Sequence, residues 1–191
     1  MSFTKEYYYK ETLTKQTILK ETLKSIEFEN CEFVGCSLVE CKIQKCKFLE
    51  CKFFDCILSA TNLVESRFRD VKFSKSKVIG IDWTKTAELS DLAFNECQIN
   101  FSNFSMLKIP ETKIVHCEAK EVDFTETDLQ KSDFQNTDFE KSRFFKTNLS
   151  YANLRGAINY NIDINNNIIK QARFSLPEAL SLLSSLDVLL E

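Results

Sequence analysis

The sequence predicts an all-β solenoid of short strands and tight turns, closed at its C-terminal end by a short α-helix. Three observations carry that expectation. Large apolar residues recur at every fifth position over most of the 191 residues. Small residues recur two positions ahead of them. Near the C-terminus both patterns give way to leucines at helical spacing.

The five-residue frame is clearest from Phe28 onward. Phe28, Phe33, Leu38, Ile43, Phe48, Phe53, Leu58, Leu63, Phe68, Phe73, Val78 and Trp83 form an unbroken series of centres. Two residues before them stand Ile26, Cys31, Cys36, Cys41, Cys46, Cys51, Cys56, Thr61, Ser66, Val71, Ser76 and Ile81. The frame slips by one residue within "DWTKTAEL". It resumes at Leu89 and Phe94, runs to Leu154, misses at Asn159 and returns at Ile164, Ile169 and Phe174.

A period of five fits neither a helix nor a simple strand, whose side-chain periods are about 3.6 and 2. It fits a short strand followed by a tight turn. Residues two apart on a strand face the same side, so the small residue and the centre both face inward. The residue between them faces out, and there the sequence places Glu32, Lys42, Lys47, Lys52, Arg67, Lys72, Asp123, Asp128, Asp133 and Asp138. The remaining two residues of each pentad make the turn.

A cysteine at every fifth position has three readings: a disulfide framework, a metal site, or filling for a fold whose own period is five. Four-thiolate zinc sites pair their cysteines about two to four residues apart, unlike the even spacing here. The first residues, "MSFTKEYYYKETLTKQ", lack the apolar core and cleavage site of a signal peptide. No apolar run is long enough to span a bilayer. The expected compartment is the cytoplasm, where thiols stay reduced. The cysteines are therefore read as small, weakly polar interior residues, with no metal and no cofactor.

Lines such as "TDLQK SDFQN TDFEK" and "TNLSY ANLRG" match a consensus of a small residue, Asp or Asn, Leu or Phe, then two variable residues. On that motif residues 26–176 resemble the pentapeptide-repeat family. The resemblance implies a right-handed quadrilateral β-helix with four pentads per coil. Residues twenty apart, such as Cys31 and Cys51, then stack one coil above the other.

One domain is expected from this length. Residues 1–24 read as an N-terminal cap. Leu13, Ile18 and Leu23 hold the frame there, but Glu11, Gln16 and Glu21 occupy the small sites, where buried carboxylates are costly. The coils fill 25–174, and the slip near 84–86 reads as a bulge or small protrusion. In 175–190, Ser175 and Glu178 read as a capping box, with Pro177 in the first turn of the helix. Leu176, Leu180, Leu183, Leu186 and Leu190 form a stripe that a monomer would expose. A homodimer joined through this helix buries it. Phe54 and Phe145, one residue after a centre, and Phe101, in a turn, are candidate exposed contacts.

The net charge of −3 hides an asymmetry: residues 41–86 carry ten basic and five acidic side chains, and residues 121–140 carry one and seven. His116 is the only histidine, and no nucleophile–base pairing, Gly-rich phosphate loop or metal motif accompanies it. The chain reads as non-enzymatic.

The tail "ARFSLPEALSLLSSLDVLLE" and the segment "GIDW" look like the Qnr-type proteins, including the self-protection protein of albicidin producers. That resemblance implies a cytoplasmic dimer joined at its C-terminal ends. It implies DNA gyrase or a related type II topoisomerase as the partner, engaged by a rod that imitates duplex DNA. The residues that would carry the imitation are Glu118, Asp123, Asp128, Asp133, Asp138 and Glu140. Consecutive pentads lie on consecutive faces, so these acids ring the rod, and only Glu118 and Asp138 share a face. The long loops with which many Qnr members protect gyrase are missing, which favours inhibition over protection. Two other readings stand beside this one. The first is a protein-binding scaffold of the same fold with no effect on gyrase. The second is nucleic-acid binding through Lys42, Lys47, Lys52, Arg67 and Lys72, against which no base-reading or stacking module is visible. Neither direct nucleic-acid contact nor a membrane role is the expectation.

Overall fold

The computed structural model describes residues 3–186. The chain winds as a right-handed, four-sided β-helix in which strands pair in parallel with the coil above and the coil below. One column of centres runs Leu13, Phe33, Phe53, Phe73, Phe94 and Ile114 through successive strand pairs. The same side continues as single bridges from Lys113 to Asp133, Asn153 and Arg173. Beyond Leu13, which is half-buried at the open end, the centres of this column are buried, and the rings stack along the axis. Phe33 and Phe53 lie 4.3 Å apart, Phe53 and Phe73 4.7 Å, and Phe48 and Phe68 4.8 Å. Such stacked pairs add about 0.5–1.5 kcal/mol each beyond their burial.

Most corners turn through a residue in the left-handed region. Among the described residues there are 28 such non-glycine residues and three such glycines. An L-residue costs about 1–2 kcal/mol in that conformation. Hydrogen bonds between coils hold it there, as where Glu50 N–H donates to the Arg69 carbonyl at 2.9 Å and Gly35 N–H to Phe54 at 2.9 Å.

The small inward residues also bond. Thr61 donates to the Leu38 carbonyl at 2.8 Å and Thr137 to Ile114 at 2.7 Å, each reaching the centre of the preceding coil. Cys51 and Cys56 direct their thiols to Phe28 and Phe33 in the same way, at 3.4 Å each. All eight cysteines are free and buried. Burial pushes the Cys51 thiol up to about 12 and raises Cys31 and Cys46 in the same sense.

Four details differ from the sequence expectation. First, most of the N-terminal cap is ordinary coil: Tyr7–Tyr9, Thr12–Thr14, Thr17–Leu19 and Thr22–Lys24 are strands paired with the next coil. The lid is Phe3, whose ring lies 5.1 Å from Phe28 and 5.7 Å from Tyr8. Glu11 and Gln16 are half-buried and Glu21 is exposed, because the small sites of this end coil open to solvent. Second, the slip is a single turn of 3-10 helix at Trp83–Lys85. Asp82 caps it, accepting from Thr84 N–H at 3.2 Å and Thr84 Oγ1 at 2.6 Å. Trp83 stays inside, stacked 5.7 Å from Phe104, and the register passes from Phe53↔Phe73 to Phe73↔Phe94 without losing the column.

Third, the frame after Asn159 is carried by Tyr160 and Ile162, both buried, while Ile164 is only half-buried. Ile162 pairs with Phe144. Asn167 then fills a small site, accepting from Thr147 N–H at 2.9 Å and donating to the Phe144 carbonyl at 3.1 Å. Fourth, the terminal helix Glu178–Leu186 is 3-10 rather than α, and the capping box does not form. Ser175 Oγ instead accepts from Gly156 N–H at 2.8 Å, and the Glu178 carboxylate accepts from Asn159 N–H. Both side chains fasten the helix to the last coil. Leu182 packs on the core. Leu190 and the expected end of the helix lie outside the described residues.

Candidate functional site

Among the described residues no helix is long and apolar enough to cross a membrane, and no three His, Cys, Asp or Glu side chains are placed to hold a metal. The features available to a partner are charge and exposed apolar side chains.

Each Asp of the acidic belt has a structural task. Asp123 accepts from Thr125 N–H at 2.8 Å, Asp128 from Gln130 N–H at 3.2 Å, Asp133 from Gln135 N–H at 3.2 Å and Asp138 from Glu140 N–H at 3.0 Å. These are Asx turns, in which a short carboxylate caps its own backbone. One oxygen is spent on the turn; the other accepts from the Gln130 amide in Asp128 and the Gln135 amide in Asp133, and faces Lys120 in Asp138, so each half-buried carboxylate keeps its charge but is held in place. Glu118, which is exposed, pairs with Asp138 one coil on, so these two do share a face. Asp123, Asp128 and Asp133 lie on separate columns, bridged to Arg143, Asn148 and Asn153. Lys120 sits between Asp138 at 3.1 Å and Glu140 at 3.0 Å and partly neutralises that side. Burial works against the Asp138 carboxylate, but hydrogen bonds from Asn159 and Lys120 outweigh it and hold its pKa below the ordinary value.

A second acidic feature escaped sequence reasoning. The corner residues Glu50, Asp70, Asp91 and Glu111 all adopt the left-handed turn conformation at equivalent corners of successive coils. Asp70, Asp91 and Glu111 line one groove together with Lys72 and Lys113. Asn30 stands next in line, 3.1 Å from Glu50, and Lys131 ends the row, 3.2 Å from Glu111. Asp128 and Asp133 flank Lys131 on the two faces that meet there. The row therefore leads into the belt. The signal was present in the sequence at twenty- and twenty-one-residue spacing, but turn positions look variable when read one pentad at a time.

The basic half is more compensated than its composition suggests. Lys47 bonds Glu27 at 2.7 Å, Lys52 bonds Glu32 at 3.0 Å and Lys72 bonds Asp70 at 3.0 Å, while Arg67 faces Glu88 at 3.9 Å. Lys42 forms no ion pair among the described residues and stacks between Thr22 and Asn62.

At the C-terminal end Leu176 is 75% exposed, Leu180 47% and Leu186 46%, and Leu183 is half-buried. The three exposed leucines form an uncovered apolar surface on one end of the rod. Phe54, Phe101 and Phe145 are exposed as expected, on different sides of the molecule.

Comparison with known proteins agrees with this geometry. The pentapeptide repeat region matches residues 26–104, and the eight-copy pentapeptide repeats match residues 123–158. The fold is similar to QnrB1, a plasmid-mediated fluoroquinolone resistance protein, in two trypsin-treated variant forms. The first is 14% identical with a TM-score of 0.75, covering 97% of this chain and 98% of that one. The second is 14% identical with a TM-score of 0.59, covering 94% and 99%. At this identity the likeness speaks to the fold alone. No curated protein sequence matches the chain.

Proposed function

The chain belongs to the pentapeptide-repeat family, and from that premise we propose that it is a non-enzymatic, cytoplasmic rod that imitates duplex DNA, binding and inhibiting DNA gyrase or a related type II topoisomerase. The observation that carries this reading is the axial row Glu50, Asp70, Asp91 and Glu111, continued by Asp128 and Asp133. Stacked coils rise by about 4.8 Å, so the row offers charges at a spacing of the same order as the roughly 3.4 Å per phosphate of a DNA strand. Asp70 and Glu111 are paired with Lys72 and Lys131, while Glu50 and Asp91 form no ion pair among the described residues; a rigid edge of this kind suits the basic groove in which a topoisomerase holds DNA, with salt-sensitive association. Glu118, Asp138 and Glu140 extend the surface around the rod. The exposed Leu176, Leu180 and Leu186, with Leu183 beside them, support a homodimer joined at this end, which would place the belt toward the middle of a longer rod.

The test is a supercoiling assay with purified gyrase. The quadruple variant Asp91→Asn, Glu111→Gln, Asp128→Asn and Asp133→Asn keeps every side chain's shape and removes four charges. Inhibition should weaken at least tenfold, and the unmodified protein should lose potency as salt rises. If the unmodified protein neither inhibits gyrase nor protects it from a quinolone at any concentration, the scaffold reading takes its place.

A further inference from the structure

The face carrying Phe144 holds a groove that the acidic surfaces do not account for. Asp138 pairs with Ile158 and Phe144 with Ile162. The two positions are therefore six residues apart in one coil and four apart in the next. The shorter path cuts the corner beneath Lys141 and leaves a groove of about 540 Å³, within the size range of small-molecule sites. Lys141, Arg143, Thr125, Asn161 and Phe145 line it, with Phe144 and Ser142 forming the wall.

Three features mark it as a place for an anion. Lys141 and Arg143 stand two residues apart and neither forms an ion pair among the described residues, whereas the neighbouring Lys120, Lys131 and Lys146 are paired along the axis. Thr125 Oγ1 is buried without a hydrogen-bond partner, which costs about 1–3 kcal/mol unless something completes it. The Phe145 ring is exposed, and Lys146 lies 5.5 Å from its centroid. The acids nearby are committed: Asp123, bridged to Arg143, accepts from Thr125 N–H, and Glu126 pairs with Lys146 at 3.6 Å. Asp163, which follows Ile162 one coil on from Phe145, accepts from Asn165 N–H at 2.8 Å, and Glu121, on the corner one coil above Lys141, forms no ion pair among the described residues.

We infer that this groove binds a small organic anion, with a phosphate or carboxylate between Arg143 and Lys141 and an apolar ring against Phe145. Asn161 and Thr125 supply neutral hydrogen bonds, and the Arg143 fork suits either acid group. The site does not depend on the topoisomerase reading: a chain inert toward gyrase retains every residue that forms it.

Calorimetric titration of the full chain with phenyl phosphate, benzoate and inorganic phosphate tests it. One saturable site per chain is expected for phenyl phosphate, with inorganic phosphate at least threefold weaker for want of the ring. Comparable binding of benzoate identifies a general anion site, and its failure identifies a phosphate site. Arg143→Gln and Lys141→Gln should each weaken binding about tenfold, while Arg155→Gln, on another corner, should leave it unchanged. Amide shifts on titration should centre on Thr125, Arg143 and Asn161, and this readout holds even if a variant is poorly folded. No saturable binding to the unmodified chain, or equal binding by Arg143→Gln, overturns the inference.

Discussion

The coils between Cys31 and Ser59 and those between Asp123 and Asn153 enclose the same kind of core with different local chemistry. In the first group each pentad is a three-residue strand, such as Glu32–Val34 or Lys52–Phe54. Its outward residue is Glu, Lys or another side chain that does not cap its own turn. Lys47 and Lys52 reach along the axis instead, to Glu27 and Glu32. In the second group each pentad is a single bridge between turns. Its outward residue is mostly Asp or Asn, which accepts from the backbone two residues on, and the turn closes with bonds such as Ser142 N–H to the Phe139 carbonyl at 2.9 Å. The inward small residue is a thiol in one region and mostly a hydroxyl in the other, yet Cys51 and Cys56 in the first and Thr127, Thr137 and Thr147 in the second all donate to a centre of the preceding coil. The contrast teaches that carboxylates of the acidic belt shape the chain whether or not a partner is present. Turn and charge are separable only by changing Asp to Asn.

The largest expected effect probes what the two regions share. Phe48 is stacked 5.0 Å from Phe28 and 4.8 Å from Phe68, and Phe124 lies 5.5 Å from Phe104 and 5.2 Å from Phe144. Phe48→Ala and Phe124→Ala should each cost about 3–5 kcal/mol in urea unfolding. A cost confined to one of them would show that the stack is not one continuous core.

An intermediate effect separates the thiol and hydroxyl regions. Thr137→Val removes the donor to Ile114 and the acceptor used by Cys117 N–H at 3.3 Å, so it should cost about 1–3 kcal/mol. Cys51→Ser should cost less than about 1 kcal/mol, because the hydroxyl can take up the same carbonyl. A large loss for Cys51→Ser, measured in the same unfolding experiment, would mean that the thiol contributes by size rather than by its bond.

The smallest effects concern the Asx turns. Asp133→Ala should cost about 0.5–1.5 kcal/mol, and Asp133→Asn much less. Asp138 adds a pH signature. Its folded-state pKa lies below that of an ordinary aspartate, so its ionised form contributes stability that is present above the ordinary value and lost as pH falls through the depressed one. Asp138→Asn should therefore be less stable than the unmodified chain at neutral pH. Thermal melts should show that gap closing in acid.

Much of this architecture is legible from residues alone. Phe28 to Trp83 mark one side of each pentad by size, and the break between Trp83 and Ala87 marks where an extra residue enters. What stays hidden depends on geometry across coils. Ile164 looks like the next centre by counting, but the chain takes a shorter corner through Asn159 and buries Ile162. Ser175 and Glu178 read as a self-contained cap because both partners are local, yet their actual partners, Gly156 and Asn159, lie in the previous coil. The row from Glu50 to Glu111 is invisible until residues a full coil apart are laid side by side.

The turn at Trp83–Lys85 carries a consequence for how such a molecule can change. An extra residue is absorbed there at an edge, the indole remains seated inside, and every rung on either side keeps its neighbour. A longer segment grafted between Thr84 and Lys85 would then meet little resistance from the stack, since closing a loop grows harder only slowly with its length. That edge is a natural port for adding a new appendage to an otherwise unaltered shaft.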